Sequence, residues 1–110
     1  MTTTLESEIT QLHAEICAGL ADPHRILILY NLSQAPRNVT ELCNDLNLPQ
    51  PLVSRHLKVL RERGMVQSER RGTVVVYRLG DEKLIEALDL LRAAMREILA
   101  RRASLAAAIS

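Results

Sequence analysis

A mainly α-helical domain carrying one β-hairpin is the fold class that the sequence predicts, on three observations. Apolar residues recur at spacings of three and four along most of the chain, the period changes to about two after Gly64, and 110 residues suffice for only one core. The composition, 47% hydrophobic and 25% charged, is that of a soluble globular domain spanning 1–110. One copy of so short a chain buries a modest core, so a partner subunit is expected to extend it.

Leu5, Ile9, Leu12, Ile16 and Leu20 share one stripe and predict a first helix of about four turns, ended by Gly19 and Ala21-Asp22-Pro23. Asp22 is suited to cap a second helix whose first position is Pro23, where the missing amide proton costs nothing. That helix is apolar at Ile26, Leu27, Leu29, Tyr30 and Leu32, which predicts burial of most of its circumference and a place at the centre of the core. Ser33 to Arg37, with Pro36, reads as a loop.

Asn38 followed three residues later by Glu41 has the spacing of a capping box and opens a third helix with Val39, Leu42 and Leu46 inward. Asn47-Leu48-Pro49 breaks it. A fourth helix follows at once, with Gln50 read as its cap, Pro51 as its first residue, Val53, Leu57 and Leu60 as its buried stripe, and Gly64 as its left-handed stop. Two short helices joined by so tight a turn form a helix-turn-helix over 38–64.

Met65 to Arg70 and Thr73 to Leu79 are β-prone runs around Arg71-Gly72, so residues 65–79 are expected to form a hairpin with a basic tip. Asp81 caps a last helix, along which Leu84, Leu88, Leu91, Met95, Ile98 and Leu105 line one side for roughly seven turns. A domain this size cannot cover such a stripe alone. With the stripe of the first helix, it predicts a homodimer built from both terminal helices.

The net charge of +1 conceals a partition. Residues 1–53 hold six acids and two bases, residues 54–78 hold seven bases and two acids, and residues 79–110 balance. Positive charge concentrated on the helix-turn-helix and hairpin points to a polyanionic partner. With two tyrosines and no Phe or Trp, the chain lacks a stacking platform for single-stranded nucleic acid. Three scattered histidines (His13, His24, His56), no glycine-rich phosphate loop and no clustered carboxylates argue against an enzyme. The opening MTTTLESEIT is acidic where a signal peptide is basic, and no apolar run reaches membrane-spanning length, so a cytoplasmic protein with reduced thiols at Cys17 and Cys43 is expected.

GLADPHRILILYNL, then VTELCNDLNLPQPLVSRHLKVLRERGMV and ERRGTVVVYRL, together resemble the ArsR-type (arsenic- and metal-sensing) family over residues 18–80 and, in pattern, to the end of the chain. The resemblance implies a winged helix-turn-helix of five helices plus a two-stranded wing, dimeric through its first and last helices. It also implies a transcriptional repressor that binds double-stranded operator DNA and releases it on a chemical signal. The alternative is a dimeric protein-interaction module of the same fold without DNA binding.

With Val53, Leu57 and Leu60 inward, Gln50, Ser54, Arg55 and Lys58 face outward on the recognition helix. Gln50 and Arg55 are the candidate base readers, since Gln pairs with adenine and Arg with guanine in bidentate fashion. Ser54, Lys58 and Arg61 suit phosphates, as do Arg70 and Arg71 at the hairpin tip, which could also enter a minor groove. Arg61 has Glu62 and Glu69 as alternative partners, and His56 reads as a packed, hydrogen-bonded histidine.

The family's metal sites are only partly matched. Asn38 and Thr40 stand where paired thiols are expected, and Lys83 and Ala94 replace the histidines that would accompany Asp81 and Glu97 in a final-helix zinc site. The candidate sensor is therefore Cys17 with Cys43, through a disulfide across the dimer or a soft metal or metalloid ion held by thiolates, with His13 as a further ligand. The competing reading makes both cysteines small buried hydrophobes.

Overall fold

The computed structural model describes residues 3–109. Helix α1 (Thr3–Leu12) runs into a π-helical turn, His13–Cys17, and is followed by α2 (Pro23–Gln34), β1 (Arg37–Asn38), α3 (Val39–Leu46), α4 (Gln50–Glu62), β2 (Val66–Arg71), β3 (Val74–Leu79) and α5 (Lys83–Ile109). The strands form one antiparallel sheet in the order β1-β3-β2.

The caps explain why the helices start where they do. The Asp22 carboxylate accepts from the His24 amide at 2.8 Å, ahead of Pro23 in the first turn of α2. The α3 capping box is complete: Glu41 N–H donates to Asn38 Oδ1 at 2.8 Å, and Asn38 N–H to Glu41 Oε1 at 2.9 Å. Asn47 then turns the chain with φ 53°, and Gly64 ends the α4 segment with φ 74°. Asp81 accepts from the Lys83 amide at 2.8 Å to start α5.

Ile28, Leu29, Leu42, Val53, Leu57 and Leu60 are fully buried and join Met65, just before β2, and Val66, the first residue of β2, in one core. Gly80 closes this arrangement. Its amide donates to Met65 O at 2.9 Å, and a Cβ there would run into the Gly64 carbonyl oxygen. Tyr30 O–H donates to Asp89 at 2.6 Å and carries the Arg92 guanidinium 5.2 Å from its ring centroid, tying α2 to α5.

Four details differ from the sequence reading. Leu27 is 50% exposed, and Ile28 takes the core position, so α2 buries one side rather than most of its circumference. Gln50 is the first residue of α4 and Pro49 precedes it without a side-chain cap; the proline pair itself sets the backbone entry. Residues 33–37 are not all loop, because α2 runs to Gln34 and Arg37–Asn38 pairs with Tyr77 and Val76, giving the two-stranded wing a third strand. The first helix also contains the π-helical turn, which its apolar spacing does not announce.

Helix α5, at 27 residues, is about 40 Å long. Only its first half meets the core, and Leu88 is its one buried residue among those described. Leu91, Met95, Ile98 and Leu105 are exposed, as are Leu5, Ile9 and Leu12 on α1. These are the two stripes expected to meet a second copy. Among the described residues no helix is long and apolar enough to cross a membrane.

Candidate nucleic-acid interface

Helix α4 buries Val53, His56, Leu57 and Leu60 on one side and leaves the other side free. Gln50, Ser54, Arg55, Lys58 and Arg61 are all exposed there, as the spacing requires once the apolar stripe is fixed. Glu62 lies 4.0 Å from Lys58, and Glu69 lies beside Arg71 and Arg78, so the acids considered for Arg61 are engaged by other cations.

The hairpin register divides its arginines between two faces. Successive strand residues point to opposite sides, so Arg70 shares a face with Val66, Ser68, Val75, Tyr77 and Leu79. Arg71 shares the other with Gln67, Glu69, Val74 and Arg78. On that second face Arg71 and Arg78 approach Glu69 at 3.4 and 3.7 Å, and Arg78 donates twice to Gln67 Oε1, at 3.1 and 2.8 Å. Arg78 thus belongs to the basic wing although the sequence reading did not single it out. Its alternation with Tyr77 and Leu79 was the available signal.

Two further arginines, also missed, fix the recognition helix from behind. Arg63, which follows α4, donates through Nη1 to the carbonyls of Ala14 at 2.6 Å and Glu15 at 3.1 Å, both in the π-helical turn. Arg25 on α2 donates to Gly19 O at 2.7 Å and Ala18 O at 3.3 Å, and its Nη1 lies 3.2 Å from His56 Nδ1. Because a guanidinium can only donate, His56 Nδ1 is the acceptor and the proton of a neutral ring sits on Nε2.

His56 is therefore the packed histidine that was expected, and only 3% of it is exposed. Burial depresses its pKa below the usual 6.5, against the pull of Asp22 and with help from Arg25 and Arg55. Asp22 is held below the usual carboxylate value mainly by the His24 amide bond, despite an opposing desolvation effect. Asp22, His24 and His56 bring one ligand-type atom each to within 4.8 Å of one another.

The thiols have different surroundings. Cys17 is exposed and lines an apolar depression of about 380 Å³ with Leu20, Ile26, Leu88, Leu91 and Met95. Cys43 is half-buried against the core, and both are free. His13 is exposed at the start of the π-helical turn. Asn38 and Asp81, at positions associated with metal ligands in the resembled family, both serve as helix caps, and Lys83 Nζ lies 3.7 Å from Asp81.

Comparison with known proteins places this geometry in context. A profile described as "Bacterial regulatory protein, arsR family" matches residues 22–68. The HTH-type transcriptional repressor SmtB of Mycobacterium tuberculosis is 47% identical over 77 residues, 70% of this chain and 57% of its own length. The HTH-type transcriptional regulator NmtR of the same species is 36% identical over 77% of this chain and 71% of its own. Mb0332 of Mycobacterium bovis, solved as a homodimeric winged helix-turn-helix DNA-binding domain, superposes with a TM-score of 0.74 at 25% identity, covering 90% of this chain and 91% of that one. The chain spans little more than half the length of SmtB.

Proposed function

Because the chain belongs to the arsR family of bacterial regulatory proteins, we propose that it is a dimeric, sequence-specific DNA-binding transcriptional regulator, a repressor that a chemical signal releases from its operator. The observation that carries this reading is the free side of α4, where Gln50, Ser54, Arg55, Lys58 and Arg61 are exposed beside a basic hairpin.

In this reading α4 enters the major groove. Gln50 and Arg55 read base edges, each worth roughly 1–3 kcal/mol of discrimination. Ser54, Lys58, Arg61, Arg70 and Arg71 contact phosphate, with Arg78 on the same wing, and hold the register without reading sequence. The exposed stripes of α1 and α5 pair two copies, so two α4 helices address half-sites about 34–36 Å apart. The regulator acts in the cytoplasm and catalyses no reaction.

The signal enters through thiols in this proposal. Cys17 stands on the surface the partner would cover, and its oxidation or its capture of a soft metalloid ion, with Cys43 and His13 as further groups, would change how the two copies meet.

Genomic fragments selected by the protein provide the test. Retained fragments should share a sequence, and affinity should fall steeply with salt. A module that binds only proteins would show neither. Mild oxidation followed by free-thiol titration tests the signal: unchanged thiols and unchanged operator affinity would remove the thiols from the mechanism.

A further inference from the structure

We propose that Asp22, His24 and His56 form a binding site for a divalent transition-metal ion between the start of α2 and the recognition helix α4. This site is separate from the thiols and does not depend on the DNA-binding reading. His24 Nδ1 lies 3.5 Å from Asp22 Oδ1, and His56 Nε2 lies 3.8 Å from Asp22 Oδ2. Nitrogen and oxygen ligands about 2.1 Å from a tetrahedral ion stand about 3.4 Å apart, so small side-chain adjustments bring these atoms onto one ion.

An independent observation points the same way. His56 is 3% exposed, and its Nε2 has no hydrogen-bond partner among the described residues, an expensive state for a buried polar atom. That atom faces the Asp22 carboxylate and the His24 ring, whose centroid is 5.7 Å from its own. A cation would satisfy Nε2 once the ring proton has moved to Nδ1 and freed its lone pair. The remaining side of the cluster is open to solvent, because the Asp22 and His24 side chains are 34% and 41% exposed, so water can complete the coordination.

Two imidazoles and one carboxylate suit Zn²⁺, Co²⁺ or Ni²⁺ better than Mg²⁺ or Ca²⁺, which prefer oxygen, or Cu(I), which prefers sulfur. Binding has a mechanical consequence. With Nε2 on the metal, the proton of the neutral ring moves to Nδ1, and no electron or net proton is exchanged. Nδ1 then no longer accepts from Arg25, which keeps its bonds to the Gly19 and Ala18 carbonyls. The ion thereby takes over from Arg25 as the link between His56 and α2.

Titration of the full chain with Co²⁺, followed by its visible ligand-field absorption and by equilibrium dialysis without DNA, tests the site. One ion per chain is expected, displaced by Zn²⁺. His24→Ala leaves the α2 cap in place because the bond to Asp22 comes from the backbone amide, and Asp22→Asn keeps a good capping side chain. Each should weaken binding at least about tenfold while circular dichroism stays unchanged. The double variant Cys17→Ser, Cys43→Ser should bind as the parent does. Absence of stoichiometric binding, equal affinity in His24→Ala and the parent, or loss of the ion in the cysteine variant would each overturn the assignment.

Discussion

Leu91→Asp tests the pairing of two copies through α5. Leu91 keeps 61% of its surface exposed in the single chain, about one helical turn from Leu88 on one side and from Met95 on the other. Full burial of a leucine side chain stabilises by about 1.5–3 kcal/mol, so covering the exposed part contributes about 1–2 kcal/mol per chain. A two-fold interface uses the same surface twice, which brings the contribution to about 2–4 kcal/mol. At 1.4 kcal/mol per factor of ten, that loss alone weakens the dimer roughly 30- to 700-fold. Placing a carboxylate in an apolar seam adds a desolvation cost. Because Leu91 lies outside the core, helix content and cooperative unfolding should survive. Light scattering on a sizing column should report the mass of one 12.3 kDa chain at concentrations where the parent runs as two. A variant that stays dimeric at those concentrations would refute an interface built on this stripe.

Other expectations follow from the same geometry. Asn38→Ala removes the side-chain acceptor of the capping box and should cost about 1 kcal/mol, lowering Tm by about 4–8 °C; an unmoved Tm would mean the box is dispensable. Arg70→Ala and Arg71→Ala should weaken binding to all duplexes alike, each lowering the salt slope by up to about one, with the smaller effect at Arg71 because Glu69 already offsets its charge. An unchanged slope for both would take the wing out of the interface. For His56, the folded-state pKa lies below the unfolded 6.5, so the unfolded chain binds more protons as pH falls beneath that value. Its contribution is complete above pH 6.5 and declines below it, and Asp22 adds a second loss below its ordinary 3.8. Urea midpoints should drop from pH 7.5 to 5.5, and less in His56→Gln; equal drops would deny His56 that role.

Local chemistry accounts for what could be read directly. Asp22-Pro23, Asn38 with Glu41, Gly64 and Asp81 each act within three residues of their own position, and all four mark helix boundaries in the structure. The exposed side of α4 was legible for a related reason: Val53, Leu57 and Leu60 fix the buried side, and the period leaves Arg55 and Lys58 outside. Long-range contacts left no such mark. Strand β1 is two residues long and exists only because β3 lies beside it. The π-helical turn is met by Arg63 from 48 and 49 positions away. His24 and His56 looked like scattered residues because their proximity depends on α2 and α4 packing together. The split of Arg70 from Arg71 needed the strand register rather than the hairpin tip alone.

The central claim is that the free side of α4 reads DNA sequence, and Arg55 is its sharpest point. Affinity of the parent and of Arg55→Ala should be measured at one salt concentration, on the selected operator and on a random duplex of equal length. Loss of a bidentate guanine contact predicts a fall of about 1–3 kcal/mol, roughly 5- to 150-fold, on the operator and a much smaller fall on the random duplex, with the dimer intact. Equal falls on both duplexes, or none on either, would contradict it.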